Sequence, residues 1–278
     1  MLDYLLLDAL IDRAIAEDYG TGDITTLCTV PEDKEISGRF IAKEPGVVCG
    51  LFVVERVFNK LDAAISLRAY VKDGDAVAVG AVLAEVYGNA RAVLVGERTA
   101  LNFLQRLSGI ATRTAEAVKA VEGTKARITD TRKTTPGLRV LEKYAVRTGG
   151  GSNHRFNLSD GILIKDNHIT AAGGITPAVQ SARRNAPHTL KIEVEVESLE
   201  MLAEALAAGA DIIMLDNMDL PQMSEAVKRV GGRALVEASG NMGDKDLRLV
   251  AKTGVDLISI GALTHTVRAM DISLKFVL

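Results

Sequence analysis

The sequence predicts an α/β protein whose C-terminal part is an α/β barrel. Its 278 residues are 47% hydrophobic but only 4% aromatic, so the core must be aliphatic, as in parallel sheets covered by helices. Short apolar runs recur about every 20–35 residues in the second half, each followed by a helical stretch or a loop. Six such βα units favour a closed barrel, although a doubly wound sheet stays open as an alternative. The runs are 126–130, 161–165, 191–196, 211–215, 234–237 and 256–260.

The first part of the chain shows a different pattern, in which helical periods mix with alternating strands. The predicted helices span 2–17 and 51–61, and the predicted strands span 36–42, 65–71 and 82–87. A long helical stretch follows from Arg91 to Val121, with a predicted break at Ser108-Gly109. We therefore predict a domain boundary near residue 108.

One stretch of this first part has a second interpretation. The run from Asp73 to Val77, followed by Gly80 to Leu83, is similar to half of a lipoyl- or biotinyl-carrier barrel. A carrier needs an exposed Lys at a hairpin tip, flanked by Met or by Asp and Ala, and no such Lys is found. The pattern favours a small structural α+β domain that uses the same turn chemistry.

Composition and charge exclude several classes of protein. The net charge is −3, which argues against a globally basic nucleic-acid binder. Cys28 and Cys49 are too few for a disulfide framework and match no metal motif. The first four residues carry no basic stretch ahead of apolar ones, and no run of about 18 apolar residues exists. We expect a cytoplasmic protein that binds neither nucleic acid nor a membrane.

Polar or small residues follow every predicted strand of the second half. Working groups of α/β barrels lie at the carboxyl ends of the strands, so a series of such ends points to a site. The ends are Asp130-Thr131-Arg132-Lys133, Lys165-Asp166-Asn167-His168, Glu193 with Glu195 and Glu197, Asp216-Asn217, Glu237 to Asn241, and Ser259 to Ala262.

The charge of this region indicates an anionic ligand. Residues 125–168 hold nine Lys and Arg against four Asp and Glu, a local charge of +5. Some of these cations belong to a solvated face, as expected for Lys125 and Arg139. Converging Arg and Lys side chains recognise carboxylates and phosphates. The candidates at strand ends or in a Gly-rich loop are Arg132, Lys133, His154, Arg155 and Lys165.

Acids and glycines complete the predicted site. Glu195 and Asp216 end neighbouring strands, where two carboxylates could hold Mg²⁺ beside substrate phosphates; salt bridges to the basic cluster are the alternative. Two turns, Ser239-Gly240-Asn241 and Ile260-Gly261-Ala262, lie where α/β barrels often bind phosphate. Gly149-Gly150-Gly151 would let a loop approach a ligand or a neighbouring backbone. The residues alone therefore predict a barrel enzyme with a multiply anionic, phosphate-bearing substrate.

Several motifs resemble those of quinolinate phosphoribosyltransferases, and the resemblance covers nearly the whole chain. The long string from residue 128 to 168 contains the Thr131-Arg132-Lys133, Asn153-His154-Arg155 and Lys165-Asp166-Asn167-His168 motifs. Further matches are Gly22 to Thr26, Glu97 to Asn102, Leu107 to Thr112, Glu193 to Glu197, Leu215 to Asn217, Glu237 to Gly240 and Ile258 to Gly261.

This resemblance implies a fold and an assembly. An N-terminal α/β sandwich over 1–108, joined by the C-terminal tail 265–278, would precede a seven-stranded α/β barrel over 109–264, the type II phosphoribosyltransferase fold. Only six strands are predicted from the pattern, so one is missing or irregular. The family is built on a homodimer whose active sites borrow residues from the neighbour.

The resemblance also implies a reaction and residue roles. Quinolinate and phosphoribosyl pyrophosphate would give nicotinate mononucleotide, pyrophosphate and CO₂. Arg132, His154, Arg155 and Lys165 would hold the quinolinate carboxylates, and Arg98 would reach in from the other subunit. Lys133 and Lys165 would face the phosphoribosyl donor, beside Thr131. Glu195 and Asp216 would stand near the ribose hydroxyls and Mg²⁺, directly or through water. Ser239, Gly240, Asn241 and the turn Ile260-Gly261-Ala262 would hold the 5′-phosphate.

Three alternatives stay open at this point. A relative encoded with molybdate-transport genes shares the fold but departs from the Asn-His-Arg and Lys-Asp-Asn-His motifs, which this chain keeps. Nicotinate phosphoribosyltransferase takes a monocarboxylate and would not need so many cations. A carrier or binding module built on the N-terminal half is the alternative from another class, and a prosthetic-group mass shift would reveal it.

Overall fold

The computed structural model describes residues 4–277, with the side chains of Tyr4 and Leu5 left aside. The strands are β1 (Glu35–Ala42), β2 (Gly46–Val47), β3 (Ser66–Ala69), β4 (Ala76–Val77), β5 (Val82–Asn89), β6 (Arg127–Thr129), β7 (Ile162–Ile164), β8 (Ile192–Val196), β9 (Ile212–Asp216), β10 (Leu235–Ser239), β11 (Leu257–Ser259) and β12 (Ile272–Val277).

The structure also contains helices throughout residues 4–277. They are α1 (Tyr4–Tyr19), α2 (Ile24–Thr29), α3 (Leu51–Leu61), α4 (Ala90–Ala120), α5 (Arg139–Thr148), α6 (Asp166–Ala172), α7 (Ile175–Asn185), α8 (Leu199–Ala207), α9 (Leu220–Val230), α10 (Leu247–Lys252) and α11 (Ala262–His265), with a 3₁₀ turn at Met242–Asp244. The first two residues of the predicted helix 2–17 lie outside the described residues. No helix within residues 4–277 is both long and apolar enough to span a bilayer.

The chain forms two compact units. The first contains the residues up to Ala115, the segment Thr135–Gly150, and the residues from Val267 on. The second contains Glu116–Thr134 and Gly151–Thr266. The predicted boundary at residue 108 falls inside α4.

The first unit is built on an antiparallel sheet in the order β12-β1-β5-β3. The strand β12, from the end of the chain, pairs antiparallel with β1 along its whole length. Asp73, in the stretch that resembles a carrier barrel, accepts hydrogen bonds from the backbone N–H groups of Gly50 and Leu51 at 2.9 and 3.1 Å. This turn therefore caps the start of α3, which is a structural task.

The predicted break at Ser108-Gly109 is wrong, because α4 runs through both residues without interruption. The Ser108 hydroxyl accepts the N–H of Cys49 at 3.0 Å, and the carbonyl oxygen of Arg268 lies against Gly109, where a methyl group would not fit. Gly109 thus permits a close backbone approach instead of ending the helix. Gly149 has the same role, since the carbonyl of Ala111 lies against it.

The second unit is built on a parallel sheet in the order β6-β11-β10-β9-β8-β7. Helices or loops connect successive strands, as the βα pattern predicts. The resemblance implied seven strands, whereas the described sheet has six. Ser152 makes a single parallel bridge with Thr129 of β6. Asp130 accepts hydrogen bonds from the Asn153 amide and the His154 N–H, so the chain leaves the sheet after one bridge.

Candidate active site

The residues that end and follow the parallel strands enclose one cavity of about 420 Å³. This volume suits a small-molecule ligand, since such sites usually measure about 300–1,000 Å³. All of its lining residues belong to the second unit. They are Thr131, Arg132, Lys133, His154, Arg155, Leu163, Lys165, Glu195, Met214, Asp216, Asn217, Glu237, Ser239, Gly240, Asn241 and Ser259.

Eleven of the predicted site residues line this cavity. They are Thr131, Arg132, Lys133, His154, Arg155, Lys165, Glu195, Asp216, Ser239, Gly240 and Asn241. The turn Ile260-Gly261-Ala262 is not in the lining, but Gly261 faces the Lys133 stem: a Cβ on Gly261 would lie 2.9 Å from Lys133 Cδ. Arg98 is an exposed residue of α4 in the first unit and does not line the cavity.

Four cations face one space in this cavity, from Arg132, Lys133, Arg155 and Lys165. The Lys165 ammonium forms an ion pair with Glu195. The guanidinium of Arg155 is also held in place, because its Nη1 donates a hydrogen bond to the Gly161 carbonyl at 3.0 Å. Burial and the neighbouring Arg132 guanidinium lower the pKa of Arg155. Cations crowded in this way favour an anionic ligand that relieves their mutual repulsion.

The segment that carries Arg155 is fixed by a buried acid. Asp130, fully buried after β6, accepts the Asn153 amide at 2.6 Å and the His154 N–H at 2.8 Å. A loop that would otherwise be mobile is therefore anchored to the end of a strand. The position of Arg155 follows from this anchor and from its own bond to Gly161.

Two further acids at strand ends, Glu193 and Glu237, had no role predicted from the sequence, and both are buried beside the cavity. Their exposed fractions are 4% and 1%. His154 Nε2 lies 3.1 Å from Glu193 Oε2 and 3.8 Å from Glu237 Oε2. Burial and the Glu193 carboxylate raise the pKa of Glu237. The alternation Ile-Glu-Val-Glu-Val in β8 was the available signal, because it puts Glu193 on the same strand face as Glu195.

Glu195 and Asp216 come from neighbouring strands and line the same cavity. The Asn217 amide donates a hydrogen bond to Asp216 Oδ2 at 2.9 Å. Asn217 has φ 54°, a left-handed conformation that Asn tolerates better than most residues. Its side chain lies against Gly240, which has φ 91°. The turn after β10 is thus packed on the residue that orients Asp216.

Apolar and small polar groups complete the lining. Leu163 and Met214 contribute apolar surface, and Ser259 contributes a hydroxyl. Leu163 and Met214 could not be singled out from the sequence, because an apolar residue inside a strand has the same pattern whether it packs in the core or contacts a ligand. Such surface would receive the face of a flat ring, while the charged groups receive its substituents.

Comparison with known proteins identifies the family. The profile of the quinolinate phosphoribosyl transferase C-terminal domain matches residues 110–275, and that of the N-terminal domain matches residues 23–108. The chain belongs to the quinolinate phosphoribosyltransferase family. This family membership covers both the antiparallel unit and the unit that holds the cavity.

Individual members of the quinolinate phosphoribosyltransferase family match along nearly their full length. A probable carboxylating nicotinate-nucleotide pyrophosphorylase of Bacillus subtilis is 46% identical over 277 residues, which is 100% of this chain and 96% of the relative. The carboxylating enzyme of the same name from Mycobacterium leprae is 47% identical, over 95% of each chain. The solved nicotinate-nucleotide pyrophosphorylase of Francisella tularensis superposes with a TM-score of 0.94 at 41% identity, covering 100% of this chain and 98% of that one.

Proposed function

We propose that this chain transfers the phosphoribosyl group of phosphoribosyl pyrophosphate to quinolinate with decarboxylation. The products are nicotinate mononucleotide, pyrophosphate and CO₂, so the enzyme serves de novo NAD biosynthesis. The observation that carries this proposal is the convergence of Arg132, Lys133, Arg155 and Lys165 on one cavity in a member of this family. Quinolinate carries two adjacent carboxylates and its partner carries phosphates, so both substrates require cations.

The first task of the site is to hold two anions side by side. Arg132 and Arg155 would bind the quinolinate carboxylates, because a guanidinium can meet a carboxylate with two hydrogen bonds. His154 and Lys165, which line the same cavity, would stand beside these carboxylates. Lys133 and Lys165 would face the donor phosphates, and the turn of Ser239, Gly240 and Asn241 would receive the 5′-phosphate. Positioning two reactants in this way can lower a barrier by about 7–11 kcal/mol.

The second task is to stabilise charge at the ribose. Pyrophosphate leaves from ribose C1 while the pyridine nitrogen approaches, through a state with oxocarbenium character. The carboxylates of Glu195 and Asp216 would face the positive charge that develops on the ribose. Lys165, paired with Glu195, would fix the direction of that carboxylate.

The decarboxylation needs little from the protein. Once the ring nitrogen is alkylated, the pyridinium accepts the electron pair of the bond to the 2-carboxylate, and CO₂ leaves. The carbon takes a proton from water in its place. No dedicated nucleophile is required in this scheme, so the four cations and two carboxylates of the cavity suffice.

Mg²⁺ fits the residues that are present. Glu195 and Asp216 project into the same cavity from neighbouring strands, and Mg²⁺ is usually held by one or two carboxylates together with substrate phosphates. These two residues would hold the ion, directly or through water. When bound, Mg²⁺ would supply charge stabilisation to the leaving pyrophosphate.

We further propose that the enzyme is a cytoplasmic homodimer with shared active sites. Arg98 supports this assembly, because it is an exposed cation of α4 that lies outside the cavity lining. In a dimer, the guanidinium of one subunit would complete the carboxylate site of the other. The two cysteines, both unpaired, suit a reducing compartment.

A turnover assay tests the proposed function. Purified protein is mixed with quinolinate, phosphoribosyl pyrophosphate and Mg²⁺, and nicotinate mononucleotide is quantified; nicotinate replaces quinolinate in a parallel reaction. We expect product from quinolinate only. Product from nicotinate, or from neither acid, contradicts the proposal and points to a relative with another acceptor. The intact mass, measured on the same sample, shows a prosthetic-group shift if the N-terminal half is a carrier.

Subunit mixing tests the shared site. Arg98→Ala and Lys133→Ala subunits are inactive alone in this account, because each lacks one cation of every site. Random exchange in a dimer creates mixed pairs with one intact site, so activity should recover to at most about a quarter of the wild-type value. Activity that does not return, although mass spectrometry shows exchanged subunits, contradicts the assignment of Arg98.

A further inference from the structure

Two buried acids beside His154, Glu193 and Glu237, have no role in the proposed chemistry so far. His154, Glu193 and Glu237 bring their donor or acceptor atoms within 4.8 Å of one another. Within residues 4–277, Glu193 Oε1 and Glu237 Oε1 are buried side-chain oxygens without a hydrogen-bond partner. Buried carboxylate oxygens of this kind are costly, so the arrangement calls for a physical reason.

The two nitrogens of the His154 ring are both engaged. Nδ1 lies 2.8 Å from the backbone nitrogen of Arg155, which can only donate, so Nδ1 accepts that hydrogen bond. The ring proton must then sit on Nε2, which lies 3.1 Å from Glu193 Oε2. His154 is therefore a neutral ring that accepts from Arg155 and donates to Glu193.

This tautomer argues against a metal ion in the trio. A ring bound to a metal through Nε2 leaves its proton on Nδ1, where it normally donates to a neighbouring group. Here Nδ1 faces another donor, the Arg155 N–H. The arrangement is one of hydrogen bonds and not of coordination.

We propose that Glu193 is a positioning residue, which acts through His154 to set the peptide that carries Arg155. This inference rests on the proposed function, in which Arg155 binds a substrate carboxylate. Glu193 fixes the ring, the ring fixes the Arg155 N–H, and the Arg155 side chain enters the cavity with Nη1 held by Gly161.

The same peptide is held from a second direction. Asp130 accepts the Asn153 amide at 2.6 Å and the His154 N–H at 2.8 Å, after β6. Glu193 belongs to β8, a different strand of the same sheet. Two buried acids from two strands therefore fix successive backbone groups. This gives Arg155 one orientation, which a fork that must meet a planar carboxylate requires.

Glu237 limits the charge that surrounds the ring. It lies on β10, with Oε2 3.8 Å from Nε2, which is too far for a hydrogen bond. Burial and the Glu193 charge raise the pKa of Glu237, which disfavours a second full negative charge beside His154. The ring bond thus remains with Glu193, whose Oε2 is the nearer oxygen.

Nuclear magnetic resonance of ¹⁵N-labelled histidine tests the ring directly and needs no turnover. The chain has four histidines, so a His154→Asn variant assigns the signal. We expect an unprotonated Nδ1 and a protonated Nε2 at neutral pH, unchanged when diamagnetic Zn²⁺ is added. A proton on Nδ1, a doubly protonated ring, or a metal-dependent shift of this signal overturns the proposal.

Steady-state kinetics of two Glu193 variants test the positioning. Glu193→Gln keeps an oxygen that accepts from Nε2, whereas Glu193→Leu keeps the approximate shape without an acceptor. We expect the quinolinate KM to rise about tenfold or more in the Leu variant and to stay near wild type in the Gln variant, with the donor KM little changed in both. Equal increases in both KM values, or equal losses in both variants, overturn the proposal.

Matched measurements separate the possible failures. Glu197→Gln, an exposed acid just after the same strand, should change neither KM. The ring signal of the Gln variant shows whether the Nε2 proton is retained, even if the Leu variant does not fold. If quinolinate is no substrate, the proposed function fails in the turnover assay, while the resonance measurement still decides the state of His154.

Discussion

Two buried acids of this chain, Glu142 in the first unit and Glu193 in the second, meet different surroundings. Glu142 is fully buried, and its Oε1 accepts from Arg106 at 2.6 and 3.0 Å while Oε2 accepts the Thr135 N–H at 3.0 Å. Glu193 Oε2 lies 3.1 Å from His154 Nε2, and its Oε1 has no partner in the described structure. A buried charge with complete partners is typical of structure, whereas an incomplete one beside a cavity is typical of function.

The largest effect is expected from removing the cation that pairs with the buried Glu142. Arg106→Ala leaves Glu142 buried without its cation, which should cost about 3–5 kcal/mol in the free energy of unfolding. Denaturant unfolding of both proteins measures it. Arg39→Ala is the matched control, because Arg39 pairs with Glu85 in the same unit but is 48% exposed, and it should cost less than about 1 kcal/mol. Similar losses in both variants would show that Glu142 does not depend on Arg106.

The second prediction concerns a cation of the cavity. Arg155→Lys keeps the charge but loses the planar fork and the bond to Gly161, so quinolinate should bind about tenfold more weakly while the donor binds nearly as before. Isothermal titration with each ligand measures both affinities. Arg183→Lys, on an exposed residue outside the cavity lining, should change neither. An equal loss for the two ligands would contradict the assignment of Arg155.

The third prediction concerns the pH dependence of stability, which Glu237 should change. The pKa of Glu237 is raised in the folded state, so the folded protein holds this proton more tightly than the unfolded chain. Wild-type stability should therefore fall, relative to Glu237→Gln, as the pH rises above the usual carboxyl value of about 4.3, by at most about 1.4 kcal/mol per pH unit. Unfolding midpoints of the two proteins across this range measure it. If the unfolding midpoints of the two proteins change in parallel with pH, the pKa of Glu237 is not raised. The control variant Glu197→Gln should show the same pH dependence of stability as the wild type.

Much of the fold could be predicted from the sequence, because the regular spacing of the apolar runs indicates βα repeats. The predicted runs at 191–196 and 211–215 correspond closely to β8 and β9. The helix break predicted at Gly109 was wrong. A glycine that ends a helix and a glycine that admits a neighbouring carbonyl have the same appearance in the sequence. The sequence around Ser152 has no alternation of apolar and polar residues that would predict a strand. In the structure this segment makes a single bridge to the sheet, and Asp130 holds it through hydrogen bonds.

The candidate site was predictable to a different degree. Cations at strand ends, such as Arg132 and Lys165, stand out because such residues are rare inside a core. Glu193 and Glu237 were also found at strand ends, but their role was not predictable, because it depends on which strand face is turned towards His154. The role of Arg98 stays a prediction, since Arg98 is not among the residues that line the cavity.

The central claim is that the cavity uses its cations to bind a dicarboxylate and release one carboxylate as CO₂. The most direct measurement is to count CO₂ and pyrophosphate from quinolinate labelled in the 2-carboxylate, with phosphoribosyl pyrophosphate and Mg²⁺. Equal amounts of labelled CO₂ and pyrophosphate, with no pyrophosphate when nicotinate replaces quinolinate, are the predicted result. Pyrophosphate released from nicotinate, or released from quinolinate without labelled CO₂, would contradict the account.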